Sequence, residues 1–261
     1  MKLKELENDL YSKLIILRDE YGCSGIKSEF ENEASDYRDL ILLRYLTAKA
    51  GLKLNIKIGG VEAFTDLKMA IHLNADGIIV PMVESEFALT KCQNMIEDLL
   101  GKECNDFDII INIETKTAME NLAGILEGMN RSINGITIGR SDLSYSYGLK
   151  GQQDSEFINK EVEKIIDLTT PYRNSRIIRI TVGGGISRRT FENRYFIERI
   201  APRLTSIETR NVVLRSSSIL NFESLQYALN FEKDYLNYKL EKNRLFMRLD
   251  EKRFETLNTR G

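Results

Sequence analysis

The chain has 261 residues, room for one large domain or two small ones, and its 37 basic and 39 acidic side chains give a net charge of −2. This balance excludes the basic footprint of a nucleic-acid-binding protein, and no apolar stretch approaches the roughly 18 residues that a membrane span needs. The charged N-terminus, MKLKELENDL, lacks the apolar centre of a signal peptide. Cys23, Cys92 and Cys104 are an odd number without metal-binding spacing, so we expect reduced thiols in a cytoplasmic protein.

Helical and extended segments alternate along the chain. Leucines spaced by three and four predict a first helix at residues 2–20. Seven strands are predicted at residues 25–30, 54–58, 77–82, 107–113, 135–138, 177–182 and 205–214. The helices predicted between them lie at residues 37–50, 61–73, 87–100, 117–129, 156–168 and 189–201. This order predicts βα units joined by right-handed crossovers.

Five apolar runs each end at or near a charged residue: Glu29, Lys57, Glu84, Glu114 and Asp142. The intervals between these residues are 28, 27, 30 and 28 positions. One strand, one helix and two loops take about 25–30 residues, so this period returns a charged side chain to the same end of each strand. In a parallel β/α barrel that end carries the active site. The five residues therefore mark the predicted catalytic face.

We therefore expect a TIM-type (β/α) barrel of parallel strands, formed as a single domain over residues 1–261. We expect an N-terminal helix at residues 1–21 and a C-terminal helical extension at residues 217–261. With seven clear strands, the first barrel strand is either lost ahead of the N-terminal helix or short and hidden there. The extension has two apolar stripes, formed by Leu225, Leu229, Leu236 and Leu240 and by Phe231, Tyr235, Tyr238 and Leu245. It is either a solvated helix or one that packs on a neighbouring subunit of a homo-oligomer.

Glu114 and Asp142 are the strongest candidates for chemistry. They lie one βα unit apart, which places them at the ends of adjacent strands about 4.8 Å apart. Two neighbouring carboxylates repel each other unless a cation lies between them, and a hard ion such as Mg²⁺ or Mn²⁺ suits this pair. The alternative is structural: Glu114 caps the following helix and Asp142 caps a turn in the predicted loop RSDLS.

Two further features are candidates for binding an anion. Residues 183–185 are three glycines that end a strand before a helix, and late barrel loops of this kind bind phosphate through backbone N–H groups. A tight turn that needs glycine explains the same run equally well. Arg210, on the last predicted strand, is the second candidate, with Glu208 as its alternative structural partner.

The segments GIIVPMVES, INIETKTAMENL and ITIGRSDLSYSYGL resemble the citrate lyase β-subunit/2-oxo acid aldolase family, also called the HpcH/HpaI family. The stretches KSEFENE, LKLNIKIGGVEAFTDL and IETRNVVL are similar to a divergent, aldolase-like or citrate lyase-like branch of it. The resemblance covers roughly residues 25–215. It implies that Glu114 and Asp142 hold Mg²⁺ or Mn²⁺, which chelates a pyruvate-like group of an oxo acid or acyl thioester and stabilises its enolate. A carbon–carbon lyase or aldolase is the expected activity.

The resemblance also implies roles for other residues near these motifs. Lys57 stands where the family has an arginine, and Glu84 closes the PMVES segment. We expect Lys57 to be either an electrostatic partner of the enolate, a Schiff-base nucleophile, or an ion-pair partner of Glu29 or Glu84. We expect the substrate to be bound by Lys57, Arg140, Ser141, Gly184 and Arg210.

One departure from the family concerns the general base. Related aldolases place a histidine after a D-x-E segment, whereas the comparable stretch here is EFEN and the chain's one histidine, His72, lies in a predicted helix. Glu29, Glu31, a metal-bound water or a substrate phosphate must then act as the base. Two other functions stay open: a phosphoenolpyruvate-using mutase or condensing enzyme, and an inactive barrel that serves as a binding or scaffold protein.

Overall fold

The computed structural model describes residues 2–30, 33, 35, 37–101, 106–175 and 178–260. Among these residues, eight strands form a closed barrel in sequence order. The strands are β1 (Cys23–Glu29), β2 (Lys53–Lys57), β3 (Gly77–Val80), β4 (Asp108–Ile113), β5 (Gly135–Gly139), β6 (Arg179–Gly183), β7 (Ser206–Glu208) and β8 (Val212–Arg215). The predicted barrel is confirmed.

Helices surround the barrel and follow most of its strands. They are α1 (Lys2–Asp19), α2 (Tyr37–Ala50), α3 (Phe64–His72), α4 (Glu86–Leu100), α5 (Lys116–Glu120), α6 (Leu122–Gly128), α7 (Arg140–Ser146), α8 (Glu156–Ser175), α9 (Arg188–Glu192) and α10 (Phe222–Asn258). Short π and 3-10 segments lie at Phe196–Ile200, Ala201–Arg203 and Ser216–Leu220. No helix in the described part of the chain is long and apolar enough to cross a bilayer.

The last predicted strand is in fact two strands joined by a tight turn. β1 to β7 pair in parallel, whereas β8 runs antiparallel to both β7 and β1 and closes the barrel. The chain reverses at residues 209–211, where the Thr209 amide donates to the Val212 carbonyl oxygen at 3.0 Å. Both alternatives for the first barrel strand, loss ahead of the N-terminal helix or a short strand hidden there, are therefore wrong, because the additional strand is β8. The polar turn residues stand inside one strand-like run and hide the reversal.

Two other predicted elements differ from the observed ones. The segment predicted as a loop after β5 begins with α7, so Asp142 lies in the first turn of a helix. The helix predicted at 189–201 is interrupted at Asn193, whose extended backbone ends α9 and whose side-chain oxygen accepts a hydrogen bond from the Phe196 amide at 3.1 Å. The side chain of asparagine competes with the helical backbone for hydrogen bonds, which explains the break.

The strand side chains divide the barrel into an apolar outside and a polar inside. Isoleucine, valine and leucine side chains on the outer face are fully buried against the helices and form the core. Inside the barrel base, Asp108 pairs with Lys53 and Arg179, each at 2.8 Å. Most barrels of this kind are filled with branched apolar residues. In this barrel, charged side chains also stand at the base, at the end opposite the mouth.

The C-terminal extension packs on the N-terminal helix over its first half. Asp234 of α10 pairs with Lys13 of α1, and the Tyr238 hydroxyl donates to Glu7 at 2.8 Å. Phe231 and Tyr235 are buried beneath this contact. Beyond Phe246 all described side chains of α10 are exposed.

Candidate active site

A cavity of about 380 Å³ opens at the C-terminal ends of the barrel strands. Its lining includes three cationic side chains and five carboxylates. They are Lys27, Lys57, Arg210, Glu29, Glu114, Asp142, Glu208 and Glu232. The formal charge of these lining residues is therefore −2.

Glu114 lies at the centre of this arrangement, with 2% of its surface exposed. One carboxylate oxygen accepts the Met82 amide at 3.1 Å, and the other accepts the Asn112 side-chain amide at 3.0 Å. Burial raises the pKa of Glu114, and the nearby Asp142 carboxylate raises it further, against the lowering effects of Lys57 and these hydrogen bonds. Burial is the largest of these causes, so the raised pKa reflects the removal of this carboxylate from water.

Local backbone features put the Glu114 side chain in place. An ideal Cβ at Gly139, on the adjacent strand β5, would lie 2.6 Å from a Glu114 carboxylate oxygen, so only glycine fits there. Met82 has a φ of 53°, a conformation that costs a residue with a side chain on the order of 1–3 kcal/mol. Its amide donates to Glu114 from that conformation. Thr115, not Glu114, caps the following helix, because its hydroxyl oxygen accepts the Ala118 amide at 3.1 Å.

Lys57 stands between two carboxylates at the mouth. Its Nζ lies 3.9 Å from an oxygen of Glu29 and 3.9 Å from an oxygen of Glu114. Glu29 is also paired with Arg210 at 3.0 Å, although the Arg210 side chain is 59% exposed and this contact adds little stability. The ammonium group is thus held near Glu114 without a short hydrogen bond to either carboxylate. That position leaves it able to face a bound anion.

Two residues predicted for the site are not brought into the cavity. The fully buried Arg140 guanidinium donates to Asp154 at 2.8 Å and to the Thr190 hydroxyl at 3.2 Å, so it belongs to the barrel wall. The Glu84 carboxylate accepts the Thr115 hydroxyl at 2.6 Å and does not line the cavity. The predicted base Glu31 lies outside the described residues.

The remaining predicted residues do line the cavity, but the glycine run has a packing role. Ser141, Gly184 and Arg210 are part of the lining. Gly184 has a φ of 76°, and a Cβ there would lie 2.4 Å from the Ser141 amide nitrogen. The loop therefore needs glycine to approach the start of α7 closely. This packing accounts for the glycine without a phosphate.

Several lining residues were absent from the prediction. They are Lys27, Asn112, Thr137, Glu208, Thr209, Leu229 and Glu232. Lys27 and Asn112 lie two positions before Glu29 and Glu114 on the same strands, so the alternation of strand side chains was a usable signal for them. Glu232 comes from α10, and no local pattern connects it to the barrel mouth.

The lining residues fit a divalent cation that prefers oxygen ligands. Glu114 and Asp142 line one cavity, and the Asn112 side-chain oxygen beside them is buried without a hydrogen-bond partner in the described structure. Across the described residues, no group of three or more His, Cys, Asp or Glu side chains is placed to hold a metal. Two carboxylates suffice for Mg²⁺, which commonly keeps waters and substrate oxygens as its other ligands.

This geometry defines a class of protein: a β/α-barrel enzyme with paired carboxylates and a lysine at the C-terminal mouth. Residues 41–175 match the HpcH/HpaI aldolase/citrate lyase family. The chain belongs to this family and is a lyase-type enzyme with aldolase or citrate lyase-type activity. Lys57, Glu114 and Asp142 lie inside the matched region, whereas Lys27, Glu29 and Glu208 lie outside it.

Solved structures of the same fold include three with family-related descriptions. An HpcH/HpaI aldolase from Desulfitobacterium hafniense DCB-2 is 17% identical, over 70% of this chain and 77% of that chain, with a TM-score of 0.55. An HpcH/HpaI aldolase/citrate lyase family protein from Burkholderia cenocepacia J2315 is 15% identical over 87% and 90%, with a TM-score of 0.60. The citrate synthase SbnG is 16% identical over 86% and 90%, with a TM-score of 0.57. No curated protein matches the chain.

Proposed function

We propose that this protein is a divalent-metal-dependent carbon–carbon lyase or aldolase that acts through the enolate of a pyruvate-type group. The substrate is an oxo acid or acyl thioester, and the ion is Mg²⁺ or Mn²⁺. The observation that carries the proposal is the presence of the Glu114 and Asp142 carboxylates in one cavity with Lys57, whose Nζ lies 3.9 Å from Glu114. This combination suits a site that binds a cation and an anionic oxygen side by side.

In this proposal the side chains of the cavity have separate roles. The bound cation supplies Lewis-acid polarisation of the keto group. Glu114 and Asp142 hold it, and Asn112 orients Glu114 through their 3.0 Å hydrogen bond. Lys57 places a positive charge beside the oxygen that becomes negative, 3.9 Å from Glu114. Such a charge stabilises the enolate more than the keto form and therefore lowers the barrier.

The test is exchange of the methyl protons of pyruvate with deuterium in D₂O, followed by NMR. An enzyme that forms the pyruvate enolate catalyses this exchange without its aldehyde partner. We expect exchange by the purified protein with Mg²⁺ or Mn²⁺, and full inhibition by a chelator that is reversed when the ion is restored. Exchange that continues unchanged in chelator contradicts the proposed metal dependence, and absence of exchange with every divalent ion contradicts enolate chemistry on pyruvate.

We propose that the exposed end of α10 joins a second copy of this chain in a homo-oligomer. Met247, Leu249, Phe254 and Leu257 are each more than half exposed on this segment. Three basic and three acidic residues are interspersed between them, at positions 248, 252 and 253 and at 250, 251 and 255. A surface with apolar residues and balanced charges suits pairing with a copy of itself.

Removal of residues 247–261 is expected to convert this oligomer to a smaller species in sedimentation analysis. The cut spares the buried Phe231, Tyr235 and Tyr238, which an earlier cut after residue 230 would remove from the chain's own core. Leu249→Glu should also shift the oligomer towards the smaller species, because it places a charge in the apolar contact. Leu220→Glu is the matched control, since Leu220 is 76% exposed and Leu249 is 70% exposed. An unchanged sedimentation coefficient after truncation rules the contact out.

A cytoplasmic location is part of the same proposal. Cys23 and Cys92 are free and buried, and burial raises the pKa of each thiol to about 12. Cys104 lies outside the described residues. Free thiols suit a reducing compartment.

A further inference from the structure

An aldol cleavage or condensation moves one proton between oxygen and carbon, and the described cavity offers no imidazole to carry it. The chain's one histidine, His72, ends helix α3 and does not line the cavity. Besides the metal-bound water and the substrate phosphate considered above, a side chain of the described lining can take up and return the proton at the reacting carbon. The groups to consider are the carboxylates and lysines of the lining.

Most carboxylates of the lining are engaged with partners that do not exchange a proton in this reaction. Glu114 accepts two N–H groups, and Glu29 is paired with Arg210 at 3.0 Å. One oxygen of Glu232 accepts both the Thr209 hydroxyl at 2.6 Å and the Asn211 amide at 2.7 Å. An arginine stays charged in proteins, and backbone amides do not titrate.

Lys27 and Glu208 form a different kind of pair. The Lys27 ammonium on β1 donates a hydrogen bond to a Glu208 carboxylate oxygen on β7. Among the described ion pairs of the cavity lining, this is the one at hydrogen-bond distance in which both partners can gain or lose a proton. Glu208 is 4% exposed, so the pair is largely shielded from solvent.

The fold makes space for this pair beside two cavities. An ideal Cβ at Gly183 would lie 2.7 Å from both Cγ and a carboxylate oxygen of Glu208, so the glycine leaves room for the acidic side chain. Glu208 and Thr137 line the mouth cavity and also a second cavity of about 670 Å³ at the barrel base. Glu208 therefore stands where the two cavities approach each other inside the barrel.

We propose that Lys27 and Glu208 are the proton-transfer pair of this site, an inference that rests on the proposed lyase function. In the cleavage direction the Glu208 carboxylate takes the proton of the substrate hydroxyl that is β to the keto group. The bond between the α- and β-carbons of the oxo acid breaks, its electron pair forms the enolate, and the β-carbon becomes an aldehyde. Glu208 then returns the same proton to the α-carbon, while the Lys27 ammonium stabilises the carboxylate between the two transfers.

Glu208→Gln and Lys27→Met test this assignment by separating proton transfer from binding. Calorimetry with Mn²⁺, and with oxalate as a mimic of the pyruvate enolate, reports the binding site. We expect both affinities to stay within about threefold of the wild-type values, because neither residue is an ion ligand in the proposal. Methyl exchange of pyruvate should fall at least about 100-fold, the usual contribution of a general acid or base.

Two further variants keep the test independent of folding. The double variant Lys27→Met/Glu208→Gln leaves no unpaired buried charge, so it should fold if a single variant does not, and it should be equally slow in exchange. Lys53→Met removes the lysine of another barrel-interior pair, 2.8 Å from Asp108 at the base, and should exchange at close to the wild-type rate. Formate should partly restore exchange to Glu208→Ala, because it supplies the missing carboxylate, and should not accelerate Lys53→Met.

The outcomes distinguish this inference from the function on which it rests. Wild-type exchange rates in Glu208→Gln, with oxalate bound normally, overturn the assignment and leave the proposed function standing. Loss of Mn²⁺ or oxalate binding in the double variant also overturns it, because the pair then serves binding. If the wild-type protein binds no divalent ion and exchanges no methyl protons, the proposed function fails and the inference fails with it.

Discussion

Glu114→Gln and Asp142→Asn are each expected to abolish the response of the protein to divalent cations. Neither variant should gain thermal stability on addition of Mg²⁺ or Mn²⁺, and methyl exchange of pyruvate should fall by at least about 10³-fold, in keeping with the several kcal/mol that a Lewis-acid ion contributes. Each substitution removes one charge and one oxygen ligand from the cavity in which the proposed ion is held. Differential scanning fluorimetry and NMR measure the two effects.

The metal-free stability of Glu114→Gln separates loss of the ion from loss of the fold. The folded pKa of Glu114 is raised above its ordinary value of 4.5, chiefly by burial. Its stability contribution is therefore present below that ordinary value and is lost as the pH rises through the folded pKa. The melting temperature of the metal-free wild type should fall as the pH rises across this window, and the melting temperature of Glu114→Gln should fall less.

Glu84→Gln is the matched comparison for the two ligand variants. Glu84 also follows a barrel strand, but its carboxylate is bound by Thr115 outside the cavity. The variant should keep both the cation response and exchange. If Glu114→Gln and Asp142→Asn both bind Mg²⁺ or Mn²⁺ with wild-type affinity, the metal assignment is contradicted.

Lys57 variants are expected to show which of two mechanisms the site uses. Lys57→Met should reduce exchange by about 10²–10³-fold, as removal of an oxyanion donor does. Lys57→Arg should keep measurable exchange, because the positive charge beside Glu114 and Glu29 survives. A Schiff-base mechanism predicts the opposite for Lys57→Arg, since a guanidinium group does not form an imine with a ketone.

Mass spectrometry after borohydride treatment provides the decisive comparison for Lys57. With pyruvate and a chelator present, we expect no added mass on the wild-type protein and no residual exchange. An adduct mapped to Lys57 in the absence of metal overturns the enolate mechanism proposed here. Mapping the peptide that contains Lys27 in the same experiment shows whether either lysine of the cavity forms an imine.

The placement of Glu29, Lys57, Glu114 and Asp142 at one mouth was predictable from the sequence. These residues recur at the length of one βα unit, and parallel strands in a closed barrel bring their C-terminal ends together. The same regularity located most helices, with α2 matching its predicted limits at Tyr37–Ala50. The alternation of strand side chains was a usable signal for Lys27 as well, although Lys27 was not predicted.

Side-chain direction and long-range contacts were decided by the tertiary structure. Arg140 follows a strand as Asp142 does, but Asp154 and Thr190 hold its guanidinium in the wall. Glu208 became part of the cavity because the chain reverses after β7 and because Gly183 leaves space for its side chain.

The sequence by itself determined the barrel, the spacing of its charged strand ends and the family to which the chain belongs. Only the tertiary structure decided which charged groups face the cavity, how β8 closes the barrel, and that Glu232 of α10 reaches the mouth. The physical reason is that periodicity reports the position of a residue along a strand or helix. The direction of its side chain depends on partners that are distant in sequence, such as Asn211 for Glu232, and these are set only when the barrel closes.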